Sequence, residues 1–417
     1  MSWFACSTPL SLLLCLTAIC FAGDQPSRTE TSAIRRSASL PESTPWDLQE
    51  LSEVPDFTWA DEREIRSLYY AGEEYQGKST RVFAYYATPD TIEGNSPSGK
   101  RYPAVVLVHG GGGAAFSEWV KLWAKRGYAA IAMDLAGCGP NRVRMPDGGP
   151  GQGHDMKFET IGLPKTRQWT YHAVANVIRA HSLIQSFAEV DSKRTAVTGI
   201  SWGGYLTCIV AGLDDRFQAA VPVYGCGFLH ENSAWLGDFA KMSSKHQRKW
   251  VELWDPSQYV GAATMPMLFV NGGRDFAYPP DSYAKTYSLV KSPKNLHFVP
   301  DLPHGHIFDR PKAIEAFIAH QLNKGTPLPR VTNVRIANGV INANVISEIP
   351  LAGAQLCYTD DAMSGDSRKR NWVTSPAAID GKSISVVLPS STATTWFVTV
   401  MDERGVLVAS ELVVSNN

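Results

Sequence analysis

A serine, an aspartate and two histidines stand in this chain where each could act on the next. Ser201 lies in "TAVTGISWGGY", in which Gly199-Ile200-Ser201-Trp202-Gly203 reads G-x-S-x-G. A serine hydroxyl is a weak nucleophile until a base takes its proton, so it must be lifted to where a base can reach it. This spacing does so when a strand runs in and a helix runs out: the tight turn projects the hydroxyl, and small residues at 199 and 203 let the backbones pass. A helix N-terminus beneath the turn then favours developing negative charge.

A second glycine cluster, His109-Gly110-Gly111-Gly112-Gly113 in "LVHGGGG", follows another apolar run. Glycines let a backbone N–H come close to a carbonyl oxygen and hold the negative charge it acquires under attack. Gly110 or Gly111 is one expected donor, and the N–H of Trp202 is the other. His109 itself is read as structural. A serine presented in this way meets its partners in the chain order serine, acid, histidine. In "MPMLFVNGGRDFAYPP" Asp275 follows an apolar run on a Gly-Gly turn, whereas Asp255, Asp281 and Asp301 do not stand behind that run. Asp301 fits a residue that satisfies turn N–H groups. The base is expected after the last run, where "LHFVPDLPHGH" offers both His304 and His306. Residue types and spacing leave these two open. The chemistry is acyl transfer: serine attacks a carbonyl, histidine carries the proton, and the carboxylate orients the imidazole.

The elements that must position these groups are legible around them. Apolar runs at 104–110, 129–135, 194–200, 219–225, 265–272 and 296–300 alternate with helix-length segments at 115–126, 171–188, 203–213, 281–290 and 311–323. Such alternation predicts a mostly parallel sheet with helices on both faces. Two β-rich runs, "REIRSLYYAG" and "TRVFAYYATP", form an expected antiparallel pair ahead of it. The Gly/Pro-rich stretch 136–165 is too irregular for a helix. The insertion 227–262 carries Trp235, Trp250 and Trp254, which could wall a pocket or fill a core. Beyond Lys324-Gly325-Thr326-Pro327 the pattern becomes short strands, with Asn338-Gly339 as a hairpin turn. The expected division is a signal at 1–22, a flexible leader at 23–45, a catalytic domain at 46–327 and a small C-terminal β-sandwich at 328–417.

Composition narrows the partners. The chain has 417 residues, 44% hydrophobic and 19% charged, with a net charge of -1. That balance gives no electrostatic reason to expect nucleic acid. "MSWFACSTPLSLLLCLTAICFAG" has an apolar core followed by small residues, so a secreted or periplasmic protein is expected, with no transmembrane segment once the signal is removed. Of seven cysteines, Cys6, Cys15 and Cys20 leave with that signal. Cys138, Cys208, Cys226 and Cys357 remain, as buried thiols or in any of three disulfide pairings. No CxxC or HExxH occurs, and no metal or cofactor is expected.

The order HGGGG, GISWGG, GGRD, PHGH, spread over about residues 65–324, resembles the α/β-hydrolase superfamily. It is most similar to the branch holding dienelactone hydrolases, acetyl xylan esterases and prolyl oligopeptidase catalytic domains. The resemblance implies an α/β-hydrolase fold and selects one histidine. In that branch a proline commonly ends the last strand and the catalytic histidine lies four residues on. Counting from Pro300 reaches His304, leaving His306 as its neighbour. Two positions depart from the pattern: Pro303 stands where glycine is common, and His306 where an aromatic is common. The nucleophile is serine, so thiolate chemistry is not implied, and the chain has no room for a β-propeller. The implied activity is that of an exported serine carboxylic ester hydrolase acting on small-molecule or carbohydrate esters, with removal of acetyl groups from carbohydrate as the implied reaction. A prolyl oligopeptidase-type peptidase is the first alternative. The second is an inactive glycan-binding surface protein, whose Trp372 and Trp396 would stack on sugars.

Overall fold

The computed structural model describes residues 40–96 and 98–415, so the signal read at 1–22 and the leader up to 39 lie outside the described residues. The end of that leader lies against the body: Leu40 and Pro45 are buried, and Lys165 donates to the carbonyl of Pro45. Among the described residues no helix is long and apolar enough to cross a membrane.

The chain enters through three antiparallel strands, β1 (Phe57–Asp61), β2 (Arg66–Tyr75) and β3 (Lys78–Ala87). The apolar runs then become β4 (Tyr102–Val108), β5 (Ala129–Met133), β6 (Val190–Ile200), β7 (Ala219–Val223), β8 (Met267–Gly272) and β9 (Lys294–Val299). They lie parallel in the order β5-β4-β6-β7-β8-β9, with β3 antiparallel on β5. A strand apolar on both faces is stable only where helices cover both. Helices Ser117–Lys125, Trp169–Gln185, Trp202–Leu213, Pro280–Leu289 and Lys312–Asn323 follow strands as the sequence pattern requires. Each expected helix is found within a few residues of its expected ends.

The C-terminal strands build two antiparallel layers. One is β10 (Arg330–Ala337), β11 (Val340–Ile346), β15 (Ser383–Val387) and β14 (Ala378–Asp380). The other is β17 (Leu407–Ala409), β16 (Thr395–Asp402), β12 (Leu351–Thr359) and β13 (Val373–Pro376), with β18 (Val413–Val414) on β16. Asn338 and Gly339 take φ of 51° and 76°, the left-handed pair that a two-residue hairpin turn needs. The second layer does not stop at the domain seam, because Ala409 of β17 pairs with Leu296 of β9 and continues the main sheet. Trp372 and Trp396 are buried, which leaves little of either ring to stack on a sugar. Cys138, Cys208, Cys226 and Cys357 are free thiols.

Beneath the sheet lies a fully buried ionic cluster. Arg216 forks onto Asp214 at 2.8 and 2.6 Å, and His181 Nδ1 meets the same carboxylate at 2.8 Å. Burial pushes the His181 imidazole down to about 4, so it is neutral at pH 7. Burial alone would raise the Asp214 carboxyl, but Arg216 and His181 outweigh it and hold the group below the ordinary carboxylate range. Removing one member strands a buried charge, so Asp214→Ala is expected to cost about 3–5 kcal/mol in urea unfolding at pH 7. Both depressed values give stability the same sign of pH dependence. The unfolded chain takes up the extra proton first, so stability of the native protein should fall as pH drops from ~6.5 through 4, and further as Asp214 protonates.

Candidate active site

Ser201, Asp275 and His304 follow the carboxyl ends of β6, β8 and β9, where open parallel sheets collect ligand-binding loops. Ser201 sits on the turn between β6 and the helix Trp202–Leu213 with φ 59° and ψ -120°, a conformation that side-chain-bearing residues rarely adopt. The turn can close this tightly because of its glycines: a Cβ on Gly199 would lie 2.2 Å from the Gly203 carbonyl oxygen, and one on Gly203 would lie 2.0 Å from that of Val108. The hydrogen bond of Ser201 N–H to Val223 O, at 2.8 Å, ties the turn to β7.

His304 bridges the other two side chains. Its Nε2 lies 2.9 Å from Ser201 Oγ and its Nδ1 lies 2.7 Å from Asp275 Oδ2. Asp275 is buried, and its second oxygen accepts from the N–H groups of Ala277 and Tyr278 at 2.8 and 2.9 Å. A carboxylate fixed on both oxygens presents one lone pair to the imidazole in a set direction. The His304 ring is flanked by Tyr224 and Phe276, each with its centroid 4.7 Å away, and the Tyr224 hydroxyl donates to Pro303 O at 2.7 Å. These two aromatics carried no signal in the sequence beyond their type.

His306 has a different set of neighbours. Its Nε2 accepts the N–H of Gly110 at 3.1 Å, and its ring packs on Phe116 with a centroid separation of 4.9 Å. Burial first, then the neighbouring His304 and Arg142, push its imidazole below the ordinary value, which suits an accepting nitrogen. Of the two glycines expected to donate, Gly110 therefore has its N–H engaged by His306. The N–H groups of Gly111 and Trp202 have no acceptor among the described residues. His109 is buried, accepts from Leu135 N–H at 2.9 Å and is pushed down by burial to about 4, which makes it a neutral brace between two loops.

The loop carrying Asp275 is held from the far side by the segment that joins β12 to β13. Ser367 donates to the backbone carbonyl of Asp275, and Arg370 Nη1 to that of Gly273 at 3.0 Å. Trp372 lies so close that a Cβ on Gly273 would stand 2.5 Å from its ring. Arg274 closes the arrangement, donating to Arg370 O at 3.0 Å and pairing with Asp301. Asp301 is thus an exposed partner of an arginine, and Asp255 caps backbone N–H groups of Phe228, Leu229 and Ser257. Asp281 meets Asn232. Of the four aspartates compared in the sequence, only Asp275 reaches a histidine.

A cavity of about 450 Å³ opens over Ser201, walled by Trp202, Trp235, Phe276, His304 and His306. Trp235 of the 227–262 insertion is therefore a wall, while Trp250 and Trp254 are wholly buried in the core. Gln152, His154 and Lys157, from the irregular stretch 136–165, also line it, and His154 Nδ1 lies 3.2 Å from Asp238. A larger cleft of about 740 Å³, along Lys291–Leu296 and Arg330–Val334, shares no residue with it.

The family model described as acetyl xylan esterase matches residues 39–241, and one described as PhoPQ-activated pathogenicity-related protein matches 237–350. An acetyl esterase of Xylanibacter ruminicola is 23% identical over 217 residues, covering 49% of this chain and 49% of that protein. An uncharacterized peptidase of Bacillus subtilis is 26% identical over 229 residues, covering 50% of this chain and 31% of that protein. The chain thus aligns with half or less of the length of these relatives. Among solved structures, an acetyl xylan esterase from Paenibacillus sp. R4 superposes with a TM-score of 0.54 at 24% identity, covering 68% of this chain and 96% of that one. At that identity the likeness speaks for the fold.

Proposed function

We propose that this chain, whose fold and partial family match are of the α/β-hydrolase kind, is an exported serine carboxylic ester hydrolase working through an acyl-enzyme on Ser201. The observation that carries this reading is the continuous line Ser201 Oγ–His304–Asp275, at 2.9 and 2.7 Å. Ser201 Oγ attacks the ester carbonyl carbon while His304 Nε2 takes its proton. Asp275 keeps the Nδ1 proton in place and stabilises the imidazolium. The carbonyl oxygen, now negative, is received by the N–H groups of Gly111 and Trp202. His304 then gives its proton to the departing alcohol oxygen, leaving acyl-Ser201. Water, deprotonated by the same nitrogen, releases the acid and restores the serine.

Acetyl groups on carbohydrate are the proposed substrate, by analogy with the matched acetyl esterase and acetyl xylan esterase. Export rests on the apolar amino-terminal run and its small-residue flank. The peptidase alternative has the matched peptidase in its favour, and the same three residues would serve it. One panel decides between them: p-nitrophenyl acetate, acetylated xylan and prolyl p-nitroanilide, each with wild type and Ser201→Ala. Ester turnover is expected in the wild type and should fall by about 10⁵–10⁶-fold in Ser201→Ala. Turnover undiminished in the variant, or faster cleavage of the anilide than of the esters, would sink the proposal.

A further inference from the structure

The cavity over Ser201 is lined by a lysine whose side chain has no ion-pair partner among the described residues. Lys157 is buried, with 6% of its surface exposed, on the short helix His154–Phe158. Its Nζ lies 4.4 Å from the ring centroid of Trp202 and 5.1 Å from that of Trp169. Its backbone is bonded to Trp250 and Gly153, but its Nζ makes no hydrogen bond or ion pair among the described residues. Asp155 is the carboxylate that acts on it, from a distance, and no aspartate or glutamate lines the cavity. Beside it Gln152 has both amide atoms buried and without a partner. Arg142, donating to Gly112 O at 3.1 Å, adds a second positive group at the glycine loop.

An ammonium taken out of water without a counter-ion is costly, and two indole faces repay only part of that cost. Burial accordingly pushes Lys157 down to about 7. A site that keeps such a group beside its nucleophile, together with an idle amide and with no carboxylate among its lining side chains, is complementary to an anion carried in by the substrate. Aromatic walls alone would serve a neutral acetyl ester, and would leave both polar side chains without a function.

We propose that Lys157 and Gln152 form a subsite for a carboxylate borne by the ester substrate, so that the enzyme selects acidic esters over neutral ones. This rests on the reading of Ser201 as the nucleophile of an ester hydrolase. The carboxylate could sit on the acyl or on the alcohol side of the ester, and two matched pairs separate these. The acyl pair is p-nitrophenyl hydrogen adipate and its methyl ester. The alcohol pair is 4-acetoxybenzoate and 4-acetoxybenzamide.

In wild type the acidic member of one pair should have a kcat/KM about tenfold or more above its neutral partner, as expected for a charged hydrogen bond in a desolvated site. In Lys157→Met that ratio should collapse towards one. Should Lys157→Met fail to fold, Gln152→Leu, at a partly exposed position, should still lower the ratio by about threefold or more. Ratios near one in wild type for both pairs, or a ratio unmoved in the folded variants, overturn the subsite. If wild type hydrolyses neither member of either pair, it is the nucleophile reading that fails; turnover without acid preference sinks the subsite alone.

Discussion

Replacing His304 with alanine is expected to lower kcat for p-nitrophenyl acetate by about 10⁴–10⁶-fold, while His306→Ala should cost about tenfold. The two residues are separated by one glycine and differ in what they touch. His304 joins the serine hydroxyl to the buried carboxylate, so in the proposed mechanism its loss would remove the proton carrier from both half-reactions. His306 holds the N–H of Gly110, next to the glycine expected to receive the oxyanion. Its loss would loosen that loop without removing a donor, so the penalty should stay below the ~10²–10³ of losing a donor outright. Burst kinetics separate the cases: His304→Ala should abolish the acylation burst, and His306→Ala should slow it. A lethal His306→Ala beside a mild His304→Ala would require the base to be reassigned.

The second large effect is expected from removing residues 328–417. The segment Ser367–Trp372 grips the loop that carries Asp275 through two carbonyls and a ring seated on Gly273. Trp372 also packs on Phe298 of β9 and on Phe397 of β16. Truncation would bare this apolar face and release the acid, so the shortened chain should be insoluble or without measurable esterase activity. A milder variant tests the same contact in a folded protein. Trp372→Ala should cost about 3–5 kcal/mol of stability. It should also lower kcat by about 10²-fold, the scale of effect when a catalytic group moves by about an ångström, with KM little changed. A truncated protein that kept full turnover would make the C-terminal strands an independent appendage.

What the sequence could and could not disclose follows from how each feature is encoded. Ser201 is legible because a nucleophile turn needs glycine at fixed offsets between a strand and a helix, and all three signals are local. Asp275 is legible because it trails a strand that periodicity alone identifies. His304 is a harder case: its spacing from Pro300 distinguishes it from His306 only beside a known pattern, since both histidines fit the same loop. The choice between Gly110 and Gly111 turns on His306, whose bond to Gly110 spans 196 positions and leaves no local trace. Lys157 and Gln152 sit in a stretch with no periodicity, where a lysine reads as solvated surface. The grip of Ser367 on Asp275, 92 positions apart, and the pairing of β17 with β9 are tertiary matters of the same kind. The fate of the tryptophans also split along these lines, since Trp235 caps the helix Leu236–Ala240 and Trp250 lies on the helix Ser244–Trp254, both folded by the insertion itself.

The junction of β9 with β17 has a consequence for the order in which the molecule is made. β9 is the last of the parallel strands, and its outer rim of unpaired N–H and C=O groups is met by a strand that leaves the ribosome some 110 residues later. Until then the nascent catalytic sheet presents an apolar, unprotected border, the kind of template on which a second unfinished chain can dock. Lys291, Lys294 and Arg330 at that border are made before its closing strand, and their like charge opposes such docking until Glu411 arrives to face Lys294. Late closure by the molecule's own tail thus turns an aggregation hazard of the growing chain into a seam of the finished one.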